Sequence, residues 1–154
     1  MKHYISHRGN LIRINKDKEN SPDYVQIAID AGFDCVVDVL YIEGVIYFGT
    51  ANHLYIVDLE FIAKNNRQLW LRCANPQTLH YFFSLSHQME CKMFLIDEHL
   101  TTNQCLWLSS YNHIQTLDRV VIVMPEWSEW KTYSNALGIC SNYIEYIRDY
   151  YENK

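Results

Sequence analysis

Nowhere in this chain of 154 residues does an uninterrupted apolar run approach the ~20 residues that a membrane-spanning helix needs. The five cysteines, Cys35, Cys73, Cys91, Cys105 and Cys140, are odd in number and include no C-x-x-C pair. That excludes a spacing-encoded disulfide framework or structural zinc site, and the thiols are expected to be reduced, buried and apolar in role. Excess basic charge is also missing: 13 Lys and Arg stand against 18 Asp and Glu, a net charge of −5. The balance argues against a nucleic-acid coat or a polybasic membrane-surface protein. Internal repeats and low-complexity tracts are absent, and the one long polar stretch, Asn15 to Asn20, reads as a solvated loop. The opening Met1-Lys2-His3-Tyr4-Ile5-Ser6-His7-Arg8 is too polar for a signal peptide, so the expected location is cytoplasmic.

What is present suits a packed core. Apolar residues make up 49% and charged residues 20%, which predicts one domain over residues 1–154. Short strands are expected at His3 to Ser6, Phe33 to Leu40, Val45 to Phe48, Leu69 to Cys73, Lys92 to Ile96, Cys105 to Leu108 and Arg119 to Met124. Helices are expected after Ser21-Pro22, with an apolar stripe of Tyr24, Val25, Ala28 and Ile29, after Asp58, and after Asn75-Pro76. A last helix is expected to be capped by Ser141, with Ile144, Ile147 and Tyr151 on its apolar face. Strands alternating with helices predict an α/β layout with a mostly parallel sheet.

The first sixty residues carry more than periodicity. His7-Arg8-Gly9 follows a strand, Glu19-Asn20 precedes a helix, and then come Gly32-Phe33-Asp34-Cys35-Val36-Val37-Asp38-Val39 and Tyr47-Phe48-Gly49. This order resembles the glycerophosphodiester phosphodiesterases of the PI-PLC-like TIM-barrel superfamily. Their opening is H-R-G, a P-E-N-T-like stretch, a helix, G-x-D-x-x-E-x-D-V, and a strand ending in H-D. Looser matches continue through Leu69-Trp70-Leu71, Asn75, Leu100 to Asn103, Trp107, Met124-Pro125-Glu126 and Gly138 to Ser141. The fold implied is a reduced PI-PLC-like (TIM-type) β/α barrel, trimmed relative to the roughly 250 residues of a full one.

The resemblance also implies a chemistry. A divalent cation on carboxylates polarises the phosphodiester, two histidines transfer protons, and the arginine after the first histidine holds a phosphate oxygen. By this correspondence His7, Arg8, Glu19 and Asp38 are kept, while Val36 replaces the first metal-binding acid. Thr50 stands where the second histidine belongs, Ala51 replaces the following aspartate, and Arg72 occupies the position of a third acid. Asp38 alone is a weak site for Mg²⁺ or Ca²⁺, and Arg72 would repel such an ion. No cofactor is expected unless the chain is active.

Each residue has a plainer reading as well. Arg8 either contacts phosphate or pairs with Glu19 or Asp38. Asp38 either ligates a metal or pairs with Arg8 or Arg72. Arg72 either stands in for the missing metal or faces solvent. Glu126 either sits at the barrel mouth or, as expected, on an exposed loop. Trp127 and Trp130, flanking Glu129, form a lid or, as expected, pack on the sheet. His53 is a remote substitute for the missing histidine. Asp97, Glu98 and His99 form a cluster without a partner, and His3, His80, His87 and His113 receive no role.

Two functions follow from these alternatives. One is a catalytically degenerate family member that binds a phosphate-containing small molecule or a partner through His7, Arg8, Glu19, Thr50 and Arg72. The other is a divergent phosphodiesterase with His7 as its general acid–base group and the arginines replacing the metal. A homo-oligomer is expected from the sheet edges of a shortened barrel and from twelve tyrosines.

Overall fold

The computed structural model describes residues 3–96, 100–108, 118–127 and 135–153. Within them the chain builds nine strands and four helices. In order these are β1 (His3–His7), α1 (Pro22–Asp30), β2 (Asp34–Ile42), β3 (Val45–Thr50), β4 (His53–Val57), α2 (Leu59–Lys64), β5 (Leu69–Cys73), α3 (Pro76–Ser84), β6 (Lys92–Leu95), β7 (Leu106–Leu108), β8 (Val120–Val123), β9 (Gly138–Ser141) and α4 (Ile144–Glu152), with a single 3₁₀ turn at Pro125–Trp127 after β8.

The predicted helix starts are where the side chains can cap them. Ser21 accepts the Tyr24 backbone N–H, Asp58 that of Phe61 and Asn75 that of Thr78, and proline occupies the first turn of α1 and α3. Ser141 departs from expectation. It is the last residue of β9, and α4 begins three residues later without a side-chain cap.

Seven strands pair in parallel in the order β6-β5-β2-β1-β9-β8-β7. The ladder β2-β3-β4 is antiparallel and continues β2 past the end of β1. Alternation along the strands sorts side chains onto two faces. Cys35, Val37, Val39, Leu69, Leu71 and Cys73 face the helices with Val25, Ile62 and Phe82. Ile122, Ile139 and Phe33 pack against Ile144 and Ile147 of α4.

The opposite face gathers one residue from each parallel strand: Ile5, Val36, Trp70, Phe94, Trp107, Val121 and Cys140. Phe94 and Trp107, on the first and last strands of the pairing order, have ring centroids 4.9 Å apart, so the sheet curls enough for side chains of its two end strands to touch on this face. Between those ends the segment at 101–105 intervenes, with the Thr102 N–H donating to the Met93 carbonyl and the Thr101 N–H to that of Cys105. All five cysteines are buried free thiols.

Candidate functional site

Advancing two residues along a strand keeps the same face. From Ile5, Val36 and Trp70 in the inner cluster, that step reaches His7, Asp38 and Arg72, and Asn142 follows directly on the end of β9. The layer toward the carboxyl ends of the parallel strands is therefore polar, directly above an apolar one. In open α/β sheets and barrels this is the end where ligands bind.

Asp38 is the centre of this layer and is 2% exposed. Arg72, its cross-strand partner in the β2–β5 register, places Nε 2.6 Å and Nη2 2.5 Å from Oδ1. Arg8 Nε lies 2.7 Å from Oδ2 without the alignment of a hydrogen bond, and Arg8 Nη1 donates to Glu19 Oε2 at 3.0 Å. Asn20 completes the cage, donating from Nδ2 to Asp38 Oδ2 and accepting the Asp38 backbone N–H at Oδ1.

The charges of Arg8, Arg72, Asp38 and Glu19 cancel. The guanidinium side chains of Arg8 and Arg72 remain 24% and 18% exposed. Arg8 Nη2 and Arg72 Nη1 have no protein acceptor among the described residues.

His7 is held from the other side. Its Nδ1 is 3.0 Å from Asn142 Oδ1, which also accepts from Asn10 Nδ2 at 2.9 Å. Burial first, then the Arg8 and Arg72 charges, lower its pKa to about 4, so the ring is neutral at pH 7. Asn142 Nδ2 donates to Met124 Sδ, and Glu126 accepts from the Ser141 hydroxyl and the Asn142 backbone N–H.

Backbone strain gathers at the same place. Arg8, Asn20 and Met124 take left-handed φ of 57°, 64° and 51°, and none of them is glycine. Gly9 has φ of 93°, and a Cβ there would lie 2.6 Å from Tyr24 Cδ1, so the third position of His7-Arg8-Gly9 admits no side chain.

Of the sequence candidates, His7, Arg8, Glu19, Asp38 and Arg72 come together. Thr50 lies exposed at the end of β3, in register with His53 across the β3–β4 turn, and outside this network. His53 stacks on Tyr55, in the same hairpin. Asp38, expected as a weak metal ligand, has both oxygens committed to guanidinium and amide groups, and Val36 beside it is apolar and buried. A hard cation needs several free oxygen ligands, so these residues do not fit Mg²⁺ or Ca²⁺.

Two expectations are corrected. Glu126 is half-buried in a 3₁₀ turn and accepts from the Ser141 hydroxyl and the Asn142 backbone N–H, where the sequence predicts a free exposed loop acid. Trp127, expected to pack on the sheet, is 74% exposed because its 3₁₀ turn directs it outward. Asp97, Glu98, His99, His113, Glu129 and Trp130 lie outside the described residues. Asn10, Asn20 and Asn142 went unread in the sequence. Only Asn20, inside the P-E-N-T-like stretch, carried a signal there.

Comparison of the chain with protein-family models, with curated proteins and with solved structures gives no match.

Proposed function

We propose that this chain is a compact, divergent β/α barrel of the PI-PLC-like, glycerophosphodiester phosphodiesterase kind, whose mouth binds a phosphate-containing small molecule without turning it over. The observation that carries the reading is the Arg8–Asp38–Arg72 bridge. It holds two guanidinium groups on one carboxylate near the strand ends while leaving Arg8 Nη2 and Arg72 Nη1 without an acceptor among the described residues. Planar guanidinium forks suit phosphate oxygens. The curled parallel sheet and the position of the site at its carboxyl end support the barrel.

Turnover lacks its parts. A diester hydrolase needs a group to activate the nucleophile and a second to protonate the leaving oxygen, and loss of one costs ~10²–10⁴-fold. His7 can do one of these tasks. Thr50, in place of the second histidine, cannot transfer a proton near neutral pH.

One observation favours a second reading, a slow phosphodiesterase with His7 as general base. Its ring is neutral at pH 7 and the neighbouring arginines can take up charge on phosphorus. The test compares wild type with His7→Ala on an activated phosphodiester, alongside calorimetric titration with inorganic phosphate. Phosphate binding with equal, near-background hydrolysis in both proteins supports the binding role. A wild-type rate that collapses in His7→Ala replaces it with the enzyme.

A further inference from the structure

The orientation of the His7 ring is set by a chain of amides that begins at a group with no choice. The Asn15 backbone N–H can only donate, and it donates to Asn10 Oδ1 at 3.0 Å. The Glu19 carboxylate can only accept, and it takes Asn10 Nδ2 at 2.9 Å. Asn10 is thus locked at both ends, with its amide nitrogen toward Asn142. Asn142 must present its oxygen to that nitrogen, and the same oxygen faces His7 Nδ1. The proton of a neutral ring therefore sits on Nδ1, and Nε2 keeps its lone pair. No described residue donates to Nε2, and His7 as a whole residue keeps intermediate exposure.

We infer that Asn142, oriented by Asn10, is a positioning residue that makes His7 Nε2 a hydrogen-bond acceptor at the mouth, so the site prefers a ligand that brings both an anionic oxygen and an O–H. The inference rests on the anion-binding reading above and deepens it. Arg8 and Arg72 supply only donors, suited to the anionic oxygens. His7 Nε2 supplies only an acceptor, and a ligand without a donor leaves that lone pair facing an oxygen. The shared chemistry is met by a protonated phosphate or by a phosphodiester with a neighbouring hydroxyl.

Hydrogen phosphate and sulfate at mildly alkaline pH are dianions of one shape that differ by a proton. Calorimetry on the full chain should give phosphate about tenfold tighter binding than sulfate, the cost of one unmet buried hydrogen bond. In Asn142→Leu the ring is free to turn or exchange tautomer, and the ratio should fall to about one with sulfate binding retained. Glycerophosphocholine and dimethyl phosphate are diesters with and without a neighbouring hydroxyl, and binding of the first against inorganic phosphate distinguishes the diester source from the free anion.

Nitrogen NMR of the wild-type His7 ring gives a reading that does not depend on the variant folding. Nδ1 should be the protonated nitrogen and Nε2 the bare one. A proton on Nε2, equal binding of the two anions, or unchanged discrimination in Asn142→Leu overturns the inference. Binding of neither anion, with the expected ring signals, overturns the anion-binding reading and the ligand preference with it, while the positioning role of Asn142 stands.

Discussion

Arg72 lies directly opposite Asp38 across the β2–β5 ladder and closes on one carboxylate oxygen with two guanidinium nitrogens, Nε at 2.6 Å and Nη2 at 2.5 Å. The other oxygen faces Arg8 at 2.7 Å. A single buried acid thus holds two cations against their mutual repulsion. Losing the acid and losing one base are therefore different perturbations.

Asp38→Ala should destabilise the fold by about 3–5 kcal/mol, because it leaves the Arg72 guanidinium unpaired, Arg8 with Glu19 alone, and the Asn20 amide without its acceptor. Arg72→Ala should cost distinctly less, since Asp38 keeps Arg8 and Asn20. Urea denaturation of the two variants checks the order. Equal losses would mean that the Asp38–Arg72 pair carries the whole effect and that the Arg8 and Asn20 contacts to Asp38 add nothing.

His7 gives the fold a pH dependence of known sign. Its folded pKa of about 4 lies below the ordinary 6.5, so between these values the unfolded chain binds the extra proton. Stability then falls as pH drops through that window, by up to about 1.4 kcal/mol per pH unit. The groups facing the ring are Arg8, Arg72, Asp38 and Asn142, and desolvation outweighs the two that favour the charged form. His7→Ala should lose less stability than wild type on going from neutral pH toward pH 4. Parallel denaturation curves for the two proteins across this window would contradict the shift.

Much of the frame was legible because local chemistry marked it. Ser21, Asp58 and Asn75 cap helices, and the valine-rich run into Asp38 could only be a buried strand. β9 was not legible as a strand. Four residues buried on both faces show no alternation to read, and Ser141 reads from sequence as a helix cap. β4 is hidden for another reason: the Ala51-Asn52 turn that folds His53–Val57 back on β3 carries no glycine, the usual mark of a two-residue hairpin loop. At the site, charged residues were visible through the H-R-G resemblance. The asparagines were not, because Asn10 and Asn142 lie 132 positions apart and meet only when β9 pairs with β1.

A second polar cluster lies at the opposite end of the same strands, and it allows stability to be separated from binding. Asp34 Oδ2 accepts from the buried Trp70 indole at 2.8 Å and lies 2.8 Å from His3 Nδ1 and 3.7 Å from Lys92 Nζ. Asp34→Ala strands the indole N–H and should cost about 1–3 kcal/mol. Phosphate affinity should stay unchanged, because Asp34 begins β2 and Asp38 lies four residues farther along the strand. Calorimetry giving weaker phosphate binding in a variant that still folds would show the two ends to be coupled.

The metal prediction turns on Arg72. In wild type a divalent ion would have to displace a guanidinium from each oxygen of Asp38, and the neighbouring Val36 offers no replacement ligand. Titration of wild type with Mg²⁺ or Ca²⁺ should therefore give no binding at about millimolar concentration. Arg72→Glu removes one competing cation and sets a carboxylate opposite Asp38 in the β2–β5 register. That variant should bind Ca²⁺ with Kd of about 0.1–1 mM, in the range of weak oxygen-ligand sites. Adding Asp38→Asn to it should abolish the gain. Val36→Glu is a poorer probe, because position 36 packs among Ile5, Trp70 and Phe94, where a carboxylate would be buried without a partner. Micromolar binding by wild type that disappears in Asp38→Asn would mean that the ion outcompetes both arginines, and the salt-bridged mouth would then be only the metal-free state of a metal site.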